Sequence, residues 1–362
     1  MIEDQTLEDQ EIEIEDEDSL EEDIFPDRYS ISSYGADYVV DALVKRMESD
    51  DIHIPPFQRE FIWSQIQSSR FIESLLLGLP VPGIFLSKDD ESRKLLVIDG
   101  QQRLRTLQYF YGGIFGASKK EFSLIGVQKR FEDLTYKKLS QEDRRQLNDS
   151  IIHATIIRQD APQEDNTSVH HIFERLNTFG TPLTHQEIRA TIYLGEFNDL
   201  LEVLNDNIDW RKVYGRKSKR RKDQEFILRF FALFYNLDKY SPPIRKFLNN
   251  FMFKNRHLKQ VGKNELSKIF TSTIEVISKN LGNKAFRLTR ALNAAVFDAV
   301  MVGVAKRLQN GPIKNDKNFL KQYEKLLKSD PFKKAIETGT TAKTNSVRNR
   351  IDEATKAFGN VE

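Results

Sequence analysis

The chain has no cysteine, which removes disulfides, cysteine-ligated zinc and thiol nucleophiles together and suits the reducing cytoplasm. No apolar run reaches the ~18 residues of a membrane-spanning helix. No basic residue precedes Arg28, the opposite of a signal peptide, so the expectation is an untargeted protein that works away from membranes. Histidine is scarce too, with six in 362 residues. His170, His171 and His185 are near one another in sequence, but adjacent histidines on a helix point in different directions and no acidic pair completes a ligand set, so no zinc is expected. Beyond His185 only His257 remains, too few ligands for a histidine-centred metal nuclease in the second half of the chain.

Positive charge is also missing from one end. Residues 1–27 hold fourteen carboxylates and no Lys or Arg. Because the whole chain carries +1, residues 28–362 carry +15. A basic body suits an anionic partner such as nucleic acid or nucleotide. The acidic segment reads as a disordered solvating arm, with masking of the basic surface as the alternative. At 362 residues the chain has room for two domains of roughly 100–200 residues each.

After the acidic segment, Asp51-Ile52-His53-Ile54-Pro55-Pro56-Phe57 reads as an edge strand stopped by two prolines. Ser64 and Gln67 have capping-box spacing and open a helix with Phe71, Ile72, Leu75 and Leu76 on one face, ending near Gly78. Residues 83–87 and 94–98 read as two strands joined in a hairpin by the polar residues 88–93, the second strand being the more buried. At Asp99-Gly100 the period changes. Leu104, Leu107 and Tyr111 then share a helical face, so the order is strand, glycine turn, helix. Another strand is expected at residues 151–157, then a helix carrying Val169, Ile172, Phe173 and Leu176 and ending at Asn177. Thr184 and Glu187 form a second capping box ahead of Ile188 and Ile192. From about residue 196 the strand signals fade, and residues 226–237 and 285–308 read as long apolar helices. The resulting fold class is α+β, a small mixed sheet with helices over residues 28–195, followed by an all-helical domain over residues 196–362.

Asp99 to Arg103 is the segment that carries chemistry. A helix N-terminus presents unpaired N–H groups and partial positive charge, and a glycine at its mouth lets a phosphate approach the backbone. Gly100 sits in that place, Gln101 and Gln102 add neutral donors, and Arg103 adds a permanent bidentate charge. Asp99, at the strand end, suits a magnesium ion or an oriented water. Asp and Gly are also ordinary turn residues, so the turn alone has a purely structural reading. Residues 112–119, Gly-Gly-Ile-Phe-Gly-Ala-Ser-Lys, look like a phosphate-binding loop but lack its spacing, and read as a helix-ending loop.

Taken in order, Pro56-Phe57-Gln58-Arg59, Phe61-Ile62-Trp63-Ser64, the run from Phe71 to Pro80, Val97 to Arg103 and Phe173-Glu174-Arg175-Leu176-Asn177 resemble the N-terminal domain of GmrSD-type modification-dependent restriction enzymes, within the ParB and sulfiredoxin-like superfamily. The resemblance continues through Gly180 to Arg189 and Gln224 to Arg229. It implies a nucleoside-triphosphate site at the Asp-Gly-Gln-Gln-Arg turn, with hydrolysis in some relatives and a CTP-driven DNA clamp in ParB. Carried onto this chain, Gly100, Gln101, Gln102 and Arg103 would hold phosphates. Asp99 would support Mg²⁺ or water, and Asp99, Gln101 and Gln102 are the candidate catalytic residues. A place in prokaryotic restriction or antiviral defence is implied by the resemblance alone.

Arg59 is a further phosphate candidate, with stacking on Trp63 as the alternative. Asn177 is another, and is equally a common helix-ending residue. Glu187 is already explained by its capping box. The run from Arg211 to Lys222 has eight basic residues among twelve, and Arg216, Lys217, Lys219, Arg220, Arg221 and Lys222 are the candidate DNA contacts, through phosphates rather than base edges. A solvated loop is the alternative. The expected partners are a nucleoside triphosphate, DNA and a separate nuclease or effector, and the oligomeric state is left open. Two rivals stand beside an NTPase: a nucleotide-dependent DNA-binding switch without turnover, and a metal-dependent nuclease or nickase using Asp99.

Overall fold

The computed structural model describes residues 13–15, 30–54, 61–89, 93–116, 120–161, 172, 183–337 and 341–361. The chain packs as two units, residues 28–183 and residues 1–27 together with 184–362.

The first unit is built on a five-stranded mixed sheet. Its strands are β2 (Ser30–Val39), β3 (Ile52–His53), β4 (Ile84–Lys88), β5 (Leu95–Asp99) and β8 (Ile151–Ala161), in the order β2-β8-β4-β5-β3. β2 runs antiparallel to β8, β8 parallel to β4, β4 antiparallel to β5, and β5 parallel to β3. β3 is thus an edge strand, as the prolines require.

Among the described residues four helices pack on this sheet: α1 (Val40–Glu48), α2 (Gln65–Leu76), α3 (Gln101–Gly112) and α4 (Gln141–Asp149). They bury Val40, Leu43, Ile72, Leu75, Leu104, Leu107 and Phe110 against Ile84, Leu86, Val97, Ile152 and Ile156 of the sheet. The expected capping box is formed. Ser64 Oγ accepts from Gln67 N at 3.2 Å while Gln67 Oε1 accepts from Ser64 N at 2.9 Å. After α3, Gly113 takes the left-handed cap at φ +75°. The expected loop there contains a two-residue ladder, β6 (Ile114–Phe115) against β7 (Lys120–Glu121). The helix expected from Val169 to Asn177 lies outside the described residues, apart from Ile172.

The second unit is helical: α5 (His185–Ile192), α6 (Glu196–Asn205), α7 (Ile208–Tyr214), α8 (Lys222–Asn236), α9 (Ile244–Asn255), α10 (Lys263–Leu281), α11 (Ala294–Leu308), α12 (Asp316–Lys328), α13 (Asp330–Ala335) and α14 (Thr344–Gly359). α11 is buried from Ala294 through Ala305, as expected of a helix apolar all round. α14 lies so close to α11 that a Cβ at Gly303 would stand 2.9 Å from Ala354. α5 packs with this unit, because Arg189 reaches Asn249 of α9 and Glu225 of α8 at 2.7 and 2.8 Å.

Two expectations need correction here. Residues 285–308 are not one helix: 285–291 form a connection, Phe286 has φ +64°, and only from Ala294 does the helix run. Between them β9 (Leu292–Asn293) pairs in parallel with β1 (Ile14–Glu15). The helical unit therefore contains a two-residue ladder, and its second strand comes from the acidic segment. Among the described residues no helix is long and apolar enough to cross a membrane.

Candidate functional site

The turn between β5 and α3 has two separate reasons for its glycine. Gly100 caps α3 at φ +103°, a left-handed conformation costly for any residue with a Cβ. A Cβ there would also meet Ile84 of β4, with Ile84 Cβ at 2.8 Å. Having no side chain, Gly100 makes no side-chain capping bond to the first turn of α3, and it is itself buried against Ile84.

One turn inside the helix, Arg103 is held by two bonds from a single nitrogen. Nη2 donates to Asp99 Oδ2 at 2.8 Å and to the Gly83 carbonyl at 3.0 Å. Arg103 Nε is buried without a hydrogen-bond partner. The guanidinium is thus fixed in place beside the Asp99 carboxylate. Asp99 keeps 44% of its side chain exposed, and Oδ2 is the oxygen engaged by Arg103.

The two glutamines differ. Gln101 is buried. Gln102 turns its amide oxygen to the backbone N–H groups of Ile62 and Trp63 at 3.1 and 3.2 Å. That bond ties the chain leading into α2 to the first turn of α3, so Gln102 is placed as an anchor. Arg59 and Asn177 lie outside the described residues, and their proposed phosphate roles rest on sequence alone.

For metal, the structure offers one carboxylate at the turn. Among the described residues no group of three or more His, Asp or Glu is placed to hold an ion. A single carboxylate fits Mg²⁺ in the mode where substrate phosphates and water supply the other ligands, because that ion seldom uses an all-protein cage.

The basic run spans the end of α7, a turn and the start of α8. Asp223, fully buried, accepts on Oδ2 from Asn205 Nδ2 at 2.9 Å, Arg211 Nη1 at 2.9 Å and Ser218 N at 3.1 Å. Ser218 Oγ in turn accepts from Arg220 N at 3.1 Å. Arg220 pairs with Glu187 at 3.1 Å and Arg221 with Glu202 at 3.9 Å, and Lys217 pairs with Asp206. Arg216, Lys217 and Lys219 are exposed, whereas Arg220, Arg221 and Lys222 are half-buried. Sequence reasoning missed Asp223, whose signal is a lone acid directly after a basic run. It also missed Gly83 and Ile84, which act through a carbonyl and a packing contact and leave no side-chain signature.

Residues 40–194 match the family model described as the N-terminal domain of the GmrSD restriction endonuclease. No curated protein matches the chain.

Proposed function

We propose that this chain, whose residues 40–194 match the GmrSD N-terminal domain model, serves restriction of foreign DNA, binding a nucleoside triphosphate at the Asp99–Arg103 turn. The observation that carries the reading is the pairing of a left-handed helix cap at Gly100, without a side-chain cap, with an arginine fixed in the first turn by Asp99 and the Gly83 carbonyl. Phosphate oxygens would take the first-turn N–H groups of α3 and the Arg103 guanidinium. Asp99 would orient Mg²⁺ brought in with the phosphates, or the attacking water. The ion's contribution would be neutralisation of charge on the phosphates.

The anchoring of Ile62 and Trp63 by Gln102 favours a second reading of the same site, a switch. A nucleotide that draws the Gln102 amide toward its phosphates would release those two backbone donors and free the chain entering α2. Exposed Arg216, Lys217 and Lys219 would then supply sequence-independent DNA contacts.

The test is phosphate release from ATP, GTP, CTP and UTP with Mg²⁺, with and without DNA, together with equilibrium nucleotide binding, for wild type, Arg103→Ala and Arg103→Lys. Turnover lost in a folded Arg103→Ala protein supports an NTPase at this turn. Binding without turnover selects the switch, and binding that survives Arg103→Ala unchanged sinks both.

A further inference from the structure

The acidic arm does one thing that charge alone does not require: it enters a ladder. Ile14 and Glu15 pair in parallel with Leu292 and Asn293, and Leu292 N donates to the Glu13 carbonyl at 3.0 Å. The strand that receives them belongs to a closed connection, since Asn293 N donates back to the Phe286 carbonyl at 2.8 Å.

That connection is fastened to the start of the basic run. Arg287 donates from Nη1 to the Val213 carbonyl at 3.0 Å and from Nη2 to the Tyr214 carbonyl at 3.1 Å. Tyr214 is two residues before Arg216. The connection adds exposed Lys284 and Arg290 of its own. The ladder therefore seats Glu13 and Glu15, with the arm's twelve other carboxylates in the flanking sequence, on an element that is bonded to the most basic stretch of the chain.

We propose that the acidic N-terminal arm is an intramolecular competitor of duplex DNA for the basic surface around Arg216, Lys217 and Lys219, docked by the pairing of residues 13–15 with β9. The proposal rests on the nucleic-acid reading of that surface given above. Fourteen carboxylates in 27 residues imitate the charge density of a nucleic-acid strand, and a tethered competitor acts at an effective concentration around the millimolar range. A two-residue ladder is weak enough to open. It supplies register, which a purely electrostatic tail would lack, while the tether makes the contact unimolecular. A short stray duplex would then be excluded, and a long one, offering more phosphates, would displace the arm.

The experiment uses full-length protein in three forms, wild type, Ile14→Asn to weaken the ladder at constant charge, and a variant carrying Asp16→Asn, Glu17→Gln and Asp18→Asn, with a Lys217→Ala, Lys219→Ala protein as the control for the basic surface. Affinity for a short labelled duplex is measured by fluorescence anisotropy across a salt series, and amide exchange is followed at Leu292. Both variants are expected to bind at least about tenfold more tightly at low salt, with the gap closing as salt rises. The Leu292 amide should exchange faster in Ile14→Asn, and in wild type saturated with duplex. Equal affinities in all three proteins, or a Leu292 amide that stays protected at saturating duplex, overturn the competition. If affinity falls in a Lys217→Ala, Lys219→Ala protein yet ignores the arm, the nucleic-acid reading stands and this inference fails. If none of the proteins binds duplex, both fail.

Discussion

At the scale of single residues, Gly100 and Arg103 separate folding from binding. Gly100→Ala must hold a Cβ at φ +103° and push it into Ile84, so it is expected to lose about 2–4 kcal/mol in urea denaturation. Any loss of ligand binding in that variant is therefore confounded with loss of structure. Arg103→Ala removes bonds to Asp99 and to the Gly83 carbonyl and should lose only about 1–2 kcal/mol, because the pair is partly exposed. Arg103→Lys keeps the charge but not the fork. If the site holds phosphate by bidentate geometry, Arg103→Lys binds nucleotide much more weakly than wild type while denaturing at nearly the same urea concentration.

At the scale of elements, α5 shows how caps and charges combine. Thr184 Oγ1 accepts from Glu187 N at 3.2 Å, and Glu187 Oε2 accepts from Thr184 N at 2.6 Å. Thr184→Ala removes that cap together with the bond from Thr184 Oγ1 to the Arg220 carbonyl at 3.0 Å, and is expected to cost about 1–2 kcal/mol by chemical denaturation. Along the same face, Glu225 of α8 is subject to burial, which raises its pKa, but the charges of Arg189, His185 and Arg229 outweigh it and hold the carboxyl below its ordinary 4.5. A lowered folded-state pKa stabilises above the ordinary value and ceases to as pH falls through the folded one. The urea midpoint should therefore drop on acidification below that range. In Glu225→Gln the midpoint should be lower at neutral pH and fall less; a parallel fall in both proteins would remove Glu225 from the account.

These elements also show what was legible. Both capping boxes, the β4–β5 hairpin, the strand at Ile151 and the glycine turn at Asp99-Gly100 were readable because each is a local pattern of a few residues. The two-residue ladder between β1 and β9 was not, since neither strand is long enough to show a period and their pairing spans most of the chain. Residues 285–291 were read as helix because the apolar stretch beyond them is unbroken, and nothing local announces a left-handed Phe286. At the site, the residue types were legible but their partners were not. Gln102 looked like a free donor, and its carbonyl is committed to Ile62 and Trp63.

At the scale of the whole molecule, the helical unit encloses a group of charges that hydrophobic patterning hides. Asp298 sits in the apolar run of α11, fully buried, and accepts from Arg229 Nε at 3.0 Å, Arg229 Nη2 at 2.7 Å and Arg350 Nη2 at 2.8 Å. Removing the carboxylate shared by two buried guanidiniums takes an ion pair from each, so Asp298→Asn is expected to cost about 3–5 kcal/mol. The two tryptophans report separately, because Trp63 belongs to one unit and Trp210, fully buried, to the other. In a Trp63→Phe background, Trp210 fluorescence should show the helical unit unfolding at lower urea when Asp298→Asn is added. An unchanged Trp210 transition would mean that the triad is stabilised by groups other than Asp298.

The ladder between Ile14 and Leu292 also bears on the order in which the molecule is made. Residues 28–183 form a continuous stretch that can complete its sheet as it leaves the ribosome, since domains fold as they are synthesised. The other unit draws its first strand from the start of the chain and the strand's partner from residue 292. The acidic segment therefore waits unpaired from its own synthesis until Leu292 has been made. The basic run at 211–222 is complete before β9 exists, so over that interval the two opposite charges share a nascent chain without the ladder that later sets their register.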